Sequence, residues 1–217
     1  MVGDVELFAQ YKPAGAKVIA ITGANGKSTV TTLVGEMCKA AGLKTVVAGN
    51  IGLPVLDTLN GDLPDVYVLE LSSFQLETTS SLNAEAATVL NISEDHMDRY
   101  EGLDDYAQAK ARVFFGKGVQ VLNRQDDWSM SMALQGRAVV TFGLDEAVND
   151  SDFGLVTRAG LTQLMRGQKA LLATSEMKIA GLHNAANALA AMALCEAIGV
   201  PQAAMIKALR EYKGLPH

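Results

Sequence analysis

Several things are scarce in this 217-residue chain, and each scarcity removes a class of protein. There are only two cysteines, Cys38 and Cys195, both inside apolar helical patterns. That excludes a disulfide framework and suits a reducing cytoplasm. Basic residues are outnumbered, with 18 Lys and Arg against 24 Asp and Glu and a net charge of −6. This is the wrong sign for a nucleic-acid or anionic-membrane partner. The most apolar stretch, 185–200, is interrupted by Asn187 and Glu196 and is too short for a membrane span. The first twelve residues carry Asp4 and Glu6 and no apolar core, unlike a signal peptide. Repeats and low-complexity tracts are missing. So are a Gly-x-Ser-x-Gly elbow, a Cys–His motif, zinc-ligand spacing, and a Gly-x-Gly-x-x-Gly fingerprint after the first strand.

What is present is a globular composition, 49% hydrophobic and 19% charged. A chain of this length buries roughly 70% of its unfolded surface, enough for a core without disulfide or structural metal. Residues 17–22 (KVIAIT) form a continuous apolar run closed by a glycine turn, as in a strand buried on both faces. Further strands are expected at 44–48, 65–71, 86–92, 119–123 and 138–142, and helices at 28–41, 53–59, 103–115 and 126–134. Gly42 stands where a helix C-cap would. Strands alternating with helices predict an α/β fold with a mostly parallel sheet and right-handed crossovers. Between 151 and 179 the pattern changes to short strands separated by Gly154, Gly160 and Gly167, read as antiparallel hairpins at a sheet edge. Helices at 183–198 and 201–212 close the chain, with Pro201 in a first helical turn.

The turn Gly23-Ala24-Asn25-Gly26-Lys27-Ser28-Thr29 lies between a buried strand and a helix, the context of a phosphate loop. Glycines let backbone N–H groups close around phosphate oxygens, and the helix N-terminus adds partial positive charge. Lys27 would reach the terminal phosphates of ATP and the Ser28 hydroxyl would ligate Mg²⁺. The spacing is Gly-x-x-Gly-Lys-Ser, shorter than the common loop, because Ile21 stands where the first glycine would fall.

Glu70 ends a strand buried along most of its length, at the sheet edge where open α/β sheets bind ligands. One carboxylate, Ser28 and phosphate oxygens make a sufficient Mg²⁺ set; a plain surface acid is the alternative. His96 follows the fourth strand and is either a ligand at that same edge or a loop hydrogen-bonder. Lys110 on the 103–115 helix is either functional or a solvated helix face. Asn184 and Asn187 share one face of a helix and either present amides to an adenine edge or cap that helix.

Taken together, segments 22–29 (TGANGKST), 49–52 (GNIG), 69–76 (LELSSFQL), 94–99 (EDHMDR), 181–187 (GLHNAAN) and 214–217 (GLPH) resemble the Mur ligases, ATP-dependent enzymes that add amino acids to the peptidoglycan precursor. The short phosphate loop is normal in that family, and the wording is most similar to its D-glutamate-adding branch. The resemblance implies a central ATP-binding domain at 17–217, with 1–16 the remnant of an interdomain linker. The uridine-nucleotide domain before it and the amino-acid domain after it would be absent, and the fragment would be a monomer inactive as a ligase alone. It implies Lys27 at the β- and γ-phosphates, Ser28 and Glu70 on one Mg²⁺, and His96 at a second Mg²⁺ and the substrate. Lys110 would be carbamylated, turning a cation that repels Mg²⁺ into an anionic oxygen donor. Asn184 and Asn187 would lie at the adenine, and Asn50 and Ser72 near the acceptor carboxylate. The small-molecule partners implied are ATP, UDP-MurNAc-L-alanine and D-glutamate. A related Mur or folylpolyglutamate-type ligase, or a stand-alone phosphate-loop ATPase, is the alternative.

Overall fold

The computed structural model describes residues 2–94 and 98–215. Its centre is a nine-stranded sheet in the order β2-β3-β1-β4-β5-β6-β7-β8-β9. The strands are β1 (Lys17–Thr22), β2 (Thr45–Gly49), β3 (Val66–Glu70), β4 (Ala86–Val89), β5 (Val119–Asn123), β6 (Val139–Phe142), β7 (Phe153–Arg158), β8 (Leu161–Arg166) and β9 (Lys169–Ala173). Pairing is parallel from β2 through β7, then antiparallel for β7-β8 and β8-β9, as the change of pattern after residue 151 predicts. Gly154 lies within β7 rather than between strands, paired to Met165, whereas Gly160 and Gly167 take the hairpin turns with positive φ.

Among the described residues seven α-helices flank the sheet: α1 (Asp4–Tyr11), α2 (Lys27–Ala40), α3 (Ser73–Glu77), α4 (Leu103–Ala111), α5 (Asp127–Ser131), α6 (Leu182–Ala197) and α7 (Gln202–Glu211). Side chains alternate across a strand, so β1 feeds two cores. Ile19 and Ile21 pack with Val30 and Leu33 of α2, Leu189 of α6 and Leu209 of α7. Val18 and Ala20 pack on the other face with Phe8 of α1, Leu76 of α3 and Tyr106 of α4. Gly42 follows α2 with φ +82°, the left-handed conformation that lets Leu43 N donate to Cys38 O and end the helix.

Two expectations need correction. The 53–59 helix does not form; a single 3-10 turn, Asp57–Asn60, stands in its place. Pro201 sits outside its helix as the N-cap of α7, with ψ 137°. Within 1–16, α1 buries Val5 and Phe8 completely and sets the Phe8 ring edge-on to Tyr67 at 4.9 Å.

The strand order places the chemistry. After β3 on one side of β1, the chain crosses to β4 on the other side. That reversal opens a crevice at the C-terminal end of β1, where ligands bind in such sheets.

Candidate functional site

The turn from β1 into α2 fills this crevice. Gly26 holds a left-handed φ of +84°, and a Cβ there would come 2.6 Å from Asn187 Oδ1. Only glycine lets the loop pass so close beneath α6. Lys27 opens α2, whose leading N–H groups have no acceptor within the helix. Its ammonium folds back to donate to Ala24 O at 2.9 Å. Four successive N–H groups, from Gly26 to Thr29, together with a lysine, make a cradle for phosphate oxygens.

Glu70 borders the same spot, in register with Ile21 of β1. The residue is 1% exposed. Its Oε1 accepts from Asn50 Nδ2 at 2.9 Å, while among the described residues its Oε2 has no hydrogen-bond partner. A buried carboxylate oxygen without a partner is costly unless a cation completes it. This is the observation that fits a metal. Among the described residues no group of three His, Cys, Asp or Glu forms a protein cage. Mg²⁺ takes one or two protein carboxylates and leaves the rest of its coordination to phosphate and water, so a single such carboxylate is enough. Gly49 makes the arrangement possible: with φ +108°, it presses against the Glu70 carbonyl oxygen where a Cβ would collide, and Asn50 N donates to that oxygen at 2.8 Å.

Lys110 is not a solvated face. It is 2% exposed and donates to Gly23 O at 3.0 Å and Thr22 Oγ1 at 3.3 Å, with its ammonium over the Tyr106 ring. It therefore shares the end of β1 with Glu70 and the loop. Ser72 is occupied as the N-cap of α3, its hydroxyl accepting from Gln75 N while Gln75 Oε1 accepts from Ser72 N. Asn184 turns its amide back to Ala180 O at 2.7 Å, so the two asparagines of α6 part: Asn187 faces the loop and Asn184 ties down its own helix end. His96 lies outside the described residues, and with it the last part of the expected metal set. Of the described residues, the structure brings together Gly23 to Thr29, Glu70, Lys110, Asn50 and Asn187, and sets Ser72 and Asn184 to local tasks.

Two residues at the site carry only a weak signal in the sequence. Gly49 was read as part of a motif without a role, and Asn91 was not singled out. A polar residue just past the end of β4 was the available clue.

The Mur ligase middle domain model matches residues 21–195. The chain is 65% identical over 217 residues to the UDP-N-acetylmuramoylalanine–D-glutamate ligase of Methylobacillus flagellatus, covering all of this chain and 48% of that protein. It is 54% identical over 235 residues to the enzyme of the same name from Thiobacillus denitrificans, covering 49% of it. The chain thus spans about half the length of the curated relatives it matches. Among solved structures, a UDP-N-acetylmuramoyl-L-alanyl-D-glutamate–2,6-diaminopimelate ligase superposes with a TM-score of 0.76 at 28% identity, covering 93% of this chain and 47% of that one. Escherichia coli FolC, in complex with DHPP and ADP, shares the fold at TM-score 0.70 and 18% identity, covering 97% of this chain and 61% of that one.

Proposed function

Because the chain belongs to the Mur ligase family, as its middle domain, we propose that it binds ATP and Mg²⁺ in a ligase joining D-glutamate to UDP-MurNAc-L-alanine. The observation that carries this reading is the meeting, at one end of β1, of the open helix N-terminus with a buried carboxylate oxygen that has no partner among the described residues. The names of the relatives support the choice of acceptor and amino acid.

In this reading the N–H groups of Gly26, Lys27, Ser28 and Thr29 hold phosphate oxygens, and the Lys27 ammonium exchanges Ala24 O for the β- and γ-phosphates. Gly23, Ala24 and Asn25 shape that cradle from behind. Ser28 and Glu70 would hold one Mg²⁺, with His96 at a second ion and at the acceptor. Mg²⁺ supplies charge neutralisation on the phosphoryl oxygens when bound. Lys110, carbamylated by CO₂ with loss of an N–H proton, would add an anionic oxygen donor there. Asn187 and Asn184 serve the adenine side, Asn187 directly beside the loop and Asn184 through the helix end it secures. Asn50 and Ser72 serve the acceptor side, Asn50 by orienting Glu70 and Ser72 by fixing the start of α3.

The reaction balances in two displacements. A carboxylate oxygen of the acceptor attacks the γ-phosphorus, the P–O bond to ADP breaks, and an acyl phosphate forms. The amine nitrogen of D-glutamate then attacks the acyl carbon, inorganic phosphate leaves, and the ammonium proton goes to solvent or a nearby base. Lys27 and the loop N–H groups stabilise charge on the transferring phosphoryl group in the first step. Selection of the amino acid belongs to the half of the relatives' length that this chain does not span. The setting is the cytoplasm, and the working unit a monomer.

The test is product formation by the full-length protein carrying this domain, with ATP, Mg²⁺ and UDP-MurNAc-L-alanine. The expected product appears with D-glutamate and not with other amino acids. Preference for another amino acid would overturn the substrate assignment, and steady acceptor-independent ATP hydrolysis by these 217 residues would favour a stand-alone ATPase.

A further inference from the structure

We propose that Asn91 is a positioning residue that sets the phosphate loop, deciding which of its N–H groups are left for phosphate. The proposal rests on the nucleotide reading above. Asn91 follows β4 by two residues and meets the loop with both its backbone and its side chain. Its carbonyl oxygen accepts from Ala24 N at 2.9 Å. Its Oδ1 accepts from Asn25 N at 2.8 Å, and its Nδ2 donates to Asn25 O at 3.0 Å. The two side-chain bonds fix the amide's orientation, since one needs an acceptor and the other a donor.

Asn91 can act as a template because it is held on both sides. Leu90 N donates to Thr22 O, and Leu90 O accepts from Asn123 Nδ2 at 2.9 Å. Ile92 N donates to Asp126 Oδ2 at 3.0 Å. The post is therefore anchored to β1, to the end of β5 and to the cap of α5. The loop leans on it closely: a Cβ on Gly23 would stand 3.0 Å from Leu90 Cβ.

The consequence is an allocation of donors. Ala24 N and Asn25 N are spent on Asn91, so phosphate contacts begin at Gly26 and continue into the first turn of α2. This gives a physical reason for the short Gly-x-x-Gly-Lys spacing. The residues that would lengthen the cradle in a longer loop are here pinned to the neighbouring strand end. Without the Asn91 amide, Asn25 is free to rotate, and Gly26 must be ordered by the nucleotide itself, at a cost to affinity.

The experiment measures Mg·ADP affinity by calorimetry and unliganded Tm, using this chain as wild type, Asn91→Ala, Asn91→Asp and Ser93→Ala. Asn91→Ala should weaken Mg·ADP about tenfold or more, from two lost hydrogen bonds, while unliganded Tm falls by only a few degrees. Asn91→Asp at pH 7.5 accepts from Asn25 N but cannot donate to Asn25 O, so it should also weaken binding. Ser93, whose hydroxyl accepts from the Asn25 side chain at 3.3 Å and not from its backbone, should tolerate Ala with wild-type affinity. Should Asn91→Ala fail to fold, the Mg·ADP affinity of Asn91→Asp at pH 7.5, set against its unliganded Tm, decides. Wild-type affinity in both Asn91 variants, or an equal loss in Ser93→Ala, overturns the proposal. Wild-type protein that does not bind Mg·ADP would instead defeat the nucleotide reading, and the role of Asn91 with it.

Discussion

Glu70 is a carboxylate with one oxygen satisfied by Asn50 and the other with no partner among the described residues, at 1% exposure. Such a residue is a liability without its cation, which leads to a counterintuitive expectation. Glu70→Gln keeps an acceptor for Asn50 but removes the buried charge, so the unliganded chain should be as stable as wild type or more stable by about 1 kcal/mol. The same variant should lose the Mg²⁺-dependent part of its nucleotide response. Thermal unfolding with nucleotide, with and without Mg²⁺, reads both effects; a clear loss of unliganded stability would contradict the assignment. Glu6 is the opposite case, fully satisfied. The Ser80 backbone N–H, above all, with the Ser81 hydroxyl and N–H and the Gln10 amide, hold its carboxyl down from 4.5 to about 2. A depressed carboxylate contributes stability that is whole above its unfolded pKa, near 4.5, and is lost as pH falls towards 2. Glu6→Ala should therefore cost about 2 kcal/mol at pH 7, and denaturant melts should show that cost shrinking below pH 4. Lys27 and Glu70 were legible in the sequence because each sits in a compact motif beside a strand end. Glu6 and Asn91 were not, because their partners lie 74 and 66 residues away and no local spacing announces them.

At the scale of elements, readable stretches were those whose periodicity runs long. The fourteen residues of α2 and the sixteen of α6 declare themselves. The five of α3 do not, although Ser72 and Gln75 form a capping box that marks its start. Between β2 and β3 apolar residues suggested a helix, yet the chain doubles back: Leu53 bridges to Ala48, and Gly52, at φ +73°, packs against the Val47 carbonyl. That return needs Gly49 as well. Gly49→Ala would place a Cβ into the Glu70 carbonyl oxygen from a left-handed backbone, and neither backbone can yield. The expected loss is about 3 kcal/mol or more, measured by urea unfolding, together with loss of nucleotide binding because Glu70 and Asn50 shift. A stable, binding-competent variant would show that the turn is less constrained than its contacts imply.

The whole molecule is a mostly parallel sheet with helices on both faces and an antiparallel extension through β8 and β9. Alternation of strands and helices made that architecture legible, but not the order of the strands, which depends on crossovers between distant segments. Strand order matters most here, because placing β3 and β4 on either side of β1 brings Glu70, Asn91 and the loop to one crevice. The account stands or falls on that crevice being a nucleotide site. The direct measurement is thermal unfolding of this chain with and without Mg·ATP, for wild type and Lys27→Ala. Ligand at about 100 times its Kd stabilises by roughly 2.7 kcal/mol, a rise of about 5 to 10 °C for a domain of this size. A rise of that order in wild type, abolished by Lys27→Ala, is the predicted result. An unchanged Tm in wild type up to millimolar Mg·ATP, or an equal rise in both proteins, would contradict it.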